Sequence, residues 1–150
     1  GVRTFEVAAY LRRCGADITR IRKVFREDFS DYQAKADAIG RADIYRDFYA
    51  ISTLGKKGED SPTVLCAKAA NELLNIRGIK ASVVMTKVED TVFISARSID
   101  EMNVQVLMEK LGGGGHRTVA GAQMQGMEVE ECIKKVKEAI DEMIIEGEVA

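Results

Sequence analysis

Four consecutive glycines, Gly112 to Gly115, closed by the chain's single histidine, His116, constrain this sequence more than any other feature. Glycine loses more backbone freedom on folding than any other residue, so four in a row need a compensating reason. A flexible linker is a poor one, because the run lacks serine and ordered-looking segments press on both sides. A helix C-cap at Gly112 explains one glycine and leaves three. Anion binding explains them all: without Cβ atoms the backbone can approach an anion closely, and successive N–H groups can point inward as a nest. A helical turn starting at Thr118–Ala122 would add free N–H groups as a positive end for a phosphate. Gly113, Gly114 and Gly115 are therefore read as an anion cradle. His116 is placed to donate to a phosphate oxygen, with acid catalysis the less favoured role.

The hydrophobic pattern places this run within an α/β unit. Residues 4–13 read as a helix with Phe5, Ala8 and Ala9 on one face, ending at Gly15. Asp17 caps a second helix that carries Ile18, Ile21 and Val24–Phe25 toward a core, and a third follows Ser30 to about Ile39. From residue 43 the pattern changes. Ile44–Ile51 reads as one strand, rich in β-branched and aromatic residues. Ser61-Pro62 starts a helix, hydroxyl cap first and then proline, which runs to near Gly78. Ile79–Lys87 and Thr91–Ser98 form a hairpin around Glu89-Asp90. A helix from about Met102 to Leu111 leads into the glycines, Ala122–Met127 is a further strand, and Glu130–Ile145 is an amphipathic helix. The expected architecture is a mixed β-sheet flanked by helices over residues 43–150, preceded by a helical tail over 1–42.

Composition limits the partners. A net charge of −2 over 150 residues argues against attraction to a long duplex nucleic acid, but leaves room for a small anion held by local cations. Arg97, at the end of an alternating strand, is either an ordinary surface arginine or a planar fork gripping a phosphate. Asn103 either caps the following helix or reads a base edge. The three cysteines have no zinc-like spacing, and Cys66 and Cys132 read as buried free thiols. No stretch approaches the roughly 18 apolar residues that span a bilayer. The chain begins Gly1-Val2, which is expected of a piece of a longer protein. No Asp/Glu/His set could hold paired metal ions and no nucleophilic triad stands out, so the residues describe a binding half without its catalytic half.

Ser95-Ala96-Arg97-Ser98, Asn103-Val104-Gln105, Met108–His116 and Ala120-Gly121-Ala122-Gln123 closely resemble the DHH-associated domain of DHH-family phosphoesterases, nearest the cyclic-di-AMP phosphodiesterase (GdpP/YybT-like) branch. Arg3–Glu6, Tyr10-Leu11 and Gly15–Asp17 resemble the last helices of that branch's DHH domain. The resemblance implies a two-domain hydrolase whose DHH lobe holds two Mn²⁺ ions, a motif without counterpart here. It assigns substrate contacts to Arg97, Ser98, Asn103, Gly113, Gly114, Gly115 and His116, with no catalytic or metal-binding residue in this chain. The implied partner is a small nucleotide: cyclic-di-AMP, pApA or a short oligonucleotide. It also implies membrane attachment only through segments outside this chain; the cysteine pattern favours a reducing, cytoplasmic compartment, and a second copy of the chain, as a homodimer, is a further candidate partner. An oligoribonuclease or exopolyphosphatase-like hydrolase and a non-catalytic nucleotide-binding module are the competing readings.

Overall fold

The computed structural model describes residues 1–15, 17–99 and 101–147. Its centre is a six-stranded mixed sheet in the order β1-β2-β3-β4-β6-β5. The strands are β1 (Asp43–Tyr45), β2 (Tyr49–Thr53), β3 (Ala81–Val88), β4 (Thr91–Ser98), β5 (Gly114–Gly115) and β6 (Val119–Gln125). Only β2 and β3 pair in parallel. Parallel neighbours need a long crossover, and α4 (Pro62–Leu73) supplies it. The Ser61 hydroxyl accepts from the Val64 N–H and proline occupies the first turn, as the sequence indicates.

The two faces of the sheet are buried by different helices. Val83, Met85, Val92, Ile94 and Ala96 pack with α5 (Val104–Glu109) and α6 (Val129–Glu146) around Leu107, Met108, Val136 and Ile140. Ala50 and Val84 face the other way, onto Ala38 of α3 (Phe29–Gly40) and Cys66, Ala69 and Leu73 of α4. Burial on both faces explains why β2 and β3 read as nearly continuous apolar runs, whereas β4 alternates.

Several expectations need correction. Residues 44–51 form a hairpin, not one strand: Arg46 and Asp47 adopt left-handed backbone angles (φ 50° and 69°), and Tyr45 pairs with Tyr49. Neither residue is glycine, so the turn left no glycine signal in the sequence. Its partner on α6 accounts for its position. The Tyr45 hydroxyl donates to both Asp141 carboxylate oxygens (2.9 and 2.7 Å), and Arg46 Nε donates at 2.9 Å. Those bonds, Arg46 first, hold the Asp141 carboxyl below its ordinary value. The crossover helix stops at Leu73, short of Gly78. The apolar residues of α1 (Val2–Arg13) and α2 (Ile18–Val24) reach no core: Phe5 is 76% exposed and Ile18 59%. The segment after Thr118 is strand β6 rather than a helical turn, because β4 offers Val119–Gln125 a full antiparallel ladder.

Candidate functional site

β4 carries two sets of side chains in alternation. Val92, Ile94 and Ala96 enter the core, which turns Phe93, Ser95 and Arg97 to the opposite face. Register extends each of these into a row. Phe93 lies between Thr86 and Gln123, Ser95 between Val84 and Gly121, and Arg97 between Ser82 and Val119. α4 packs against β3 and β4 on this side. Beyond its first turn lies a groove of about 440 Å³ lined by Thr63, Phe93, Ser95, Gly112, Gly113, Gly121 and Gln123.

The glycine run forms the outer margin of that groove. Gly112 ends the α5 segment with φ +82°. A Cβ on Gly113 would lie 2.1 Å from the Gly121 carbonyl oxygen, and one on Gly115 would lie 2.5 Å from the Val119 oxygen. Close packing of β5 on β6 thus requires these two glycines, whereas a Cβ on Gly114 would meet nothing within 4 Å. The inward-facing nest expected from the sequence does not form across the run. The N–H groups of Gly112, Gly113 and His116 donate to the carbonyls of Glu109, Met108 and Val119 at 3.0, 2.8 and 2.7 Å. Carbonyls at the end of α5 and the start of β6 lie closer to hand and take them.

Arg97 is the cation of the face. Its guanidinium donates to the Ala96 carbonyl (2.9 Å) and has no carboxylate partner among the described residues. Burial pulls its pKa below the ordinary arginine value, though the group remains a cation near neutral pH. A half-buried charge without a counter-ion is unfavourable, and an anion on this face beyond the groove's Ser95 end, two residues along β4, would supply one. His116 sits in the same row: Val119 pairs with Arg97, and its carbonyl accepts from the His116 N–H. Two strand spacings put the two backbones about 10 Å apart. The His116 side chain is exposed.

Two other expected site residues serve the framework. Ser98 is buried on the core side, its hydroxyl lying 2.8 Å from the Met102 carbonyl and 3.0 Å from that of Arg117. It ties the end of β4 to the segments flanking α5 and does not join Arg97 on the groove face. Asn103 caps α5, its Oδ1 accepting from the Gln105 and Val106 N–H groups. Phe93, Gln123 and Thr63 were not singled out as site residues from sequence. The available signal was phase: an aromatic at Phe93 falls on the same side of an alternating strand as Arg97. Among the described residues no group of three or more His, Cys, Asp or Glu could hold a metal ion. These residues therefore do not fit a two-manganese centre.

The model of the DHHA1 domain matches residues 47–146. The chain is 41% identical over 142 residues to the cyclic-di-AMP phosphodiesterase PdeA of Listeria monocytogenes, covering 94% of this chain and 22% of that protein. It is 43% identical over 144 residues to the cyclic-di-AMP phosphodiesterase GdpP of Bacillus subtilis, covering 95% and 22%. It thus spans about a fifth of the length of these relatives. Among solved structures, an exopolyphosphatase-related protein from Bacteroides fragilis superposes with a TM-score of 0.72 at 21% identity, covering 95% of this chain and 44% of that one. That last likeness speaks to the fold alone.

Proposed function

The chain belongs to the DHHA1 domain family, and on that premise we propose that it is the substrate-recognition portion of a phosphodiesterase that hydrolyses cyclic-di-AMP to pApA. The observation that supports this most is Arg97, a half-buried cation on an open sheet face with no carboxylate partner among the described residues. A phosphate beside it would restore the missing counter-charge through a bidentate, charge-assisted contact. His116, two strands away, adds a second donor, and Gly114, two residues before it, leaves the backbone approachable there. Asn103 and Ser98 act indirectly, by holding α5 and the end of β4.

The chemistry belongs to a separate lobe, where two Mn²⁺ ions would activate water; residues 1–42 are assigned to the end of that lobe. The isolated chain binds substrate without cutting it. No helix among the described residues is long and apolar enough to cross a membrane, and the proposed location is the cytoplasm. In the intact parent, Arg97→Ala and His116→Ala lower kcat/KM about 10- to 150-fold while metal content stays normal. Wild-type kcat/KM in both variants overturns the assignment. Comparing turnover of cyclic-di-AMP, pApA and polyphosphate fixes the substrate within the superfamily.

A further inference from the structure

We propose that the groove between the first turn of α4 and the glycine run is a nucleobase subsite, in which Phe93 supplies the stacking surface and Gln123 reads the edge of an adenine. This rests on the nucleotide-binding reading above and extends it to base selectivity. Phe93 and Gln123 are paired across β4 and β6, so their Cβ atoms lie about 5 Å apart on one face. The Phe93 ring is half-buried and lines the groove rather than the core. Gln123 is exposed, and its amide makes no hydrogen bond among the described residues. Both are therefore available to a ligand.

The floor beside them is flat for a structural reason. Gly121 stands next to Ser95, and a Cβ there would lie 2.9 Å from the Ile94 carbonyl oxygen. A planar ring or a sugar can rest over this gap without meeting a side chain. Along β4, Phe93 and Arg97 are four residues apart, about 13 Å in extended chain, the reach of a stretched nucleoside monophosphate. A base at Phe93 and Gln123 thus places its sugar over Ser95 and Gly121 and its phosphate at Arg97.

The amide also sets a preference. Gln123 offers one donor group and one acceptor, matching the adjacent acceptor and donor of adenine. The Watson–Crick edge of guanine presents two N–H donors beside a carbonyl, which a carboxylate meets better than an amide. Calorimetric titration of this chain with pApA and with pGpG tests the assignment. Wild type favours pApA. Gln123→Glu, an exposed change, shifts the pApA-to-pGpG affinity ratio toward pGpG by about tenfold or more. Phe93→Ala weakens pApA about tenfold, and Phe93→Tyr retains it. If Phe93→Ala and Gln123→Glu melt like wild type and keep its affinities and its ratio, the subsite is wrong while the nucleotide reading stands. If wild type binds neither dinucleotide, the broader reading fails and takes the subsite with it.

Discussion

Gly113 and Gly114 are neighbours of one residue type, yet the structure asks opposite things of them. A methyl group at Gly113 would run into the Gly121 carbonyl and Ala122, both backbone-anchored. Gly113→Ala is expected to cost on the order of 1–3 kcal/mol, as overpacking does, and to part β5 from β6. Gly114→Ala meets open space and should leave stability unchanged or raise it by about 0.4–1 kcal/mol through the unfolded state. Urea denaturation of the two variants decides the matter, and equal midpoints would refute the packing account. The run was conspicuous in the sequence because glycine is conformationally costly. Its division of labour was not, because the close approach depends on Gly121 and Ala120, which are brought opposite only by the pairing of β5 with β6.

Local signals for whole elements proved unequal. Ser61-Pro62, the alternation of Thr91–Ser98 and the helical spacing of Cys132, Val136 and Ile140 each follow from short-range chemistry, and all three appear in the fold. The β1–β2 turn was hidden because its left-handed pair, Arg46 and Asp47, contains no glycine, and because the contacts beside it, from Tyr45 and Arg46 to Asp141, reach α6 some 95 residues away. The groove residues were hidden for a related reason: alternation separates two faces of β4, but only the placement of α4 shows which face stays open. For α5, the cap dictates the expected behaviour. Asn103→Ala should lower stability by about 1 kcal/mol, because two N–H groups lose their acceptor, while Asn103→Asp keeps the acceptor and the stability. Thermal melts of both variants check this. A melt unchanged in Asn103→Ala would show that the cap contributes nothing.

Across the whole molecule, two buried acids on opposite faces of the sheet make the fold sensitive to alkali. Burial pushes the Cys66 thiol from 9.0 up to about 12 and the Tyr49 hydroxyl from 10.0 up to about 12. In both cases the folded state retains a proton that the unfolded state gives up. Stability is therefore full below pH 9 and falls as pH rises toward 12. Tyr49→Phe should flatten the upper part of that decline, and denaturant midpoints measured between pH 8 and 11 would reveal it. An unaltered slope in Tyr49→Phe would remove the tyrosine from the explanation.

The outermost strands have a consequence of their own. A long unpaired strand presents a row of N–H and C=O groups on which another chain can add. Here β1 has three residues and β5 has two. The β1 border ends after three residues at the Arg46–Asp47 turn, and the β5 border consists of glycines without side chains to lock into a neighbour's. Both margins are poor templates for copying, which protects the sheet from growing, molecule by molecule, into a fibre.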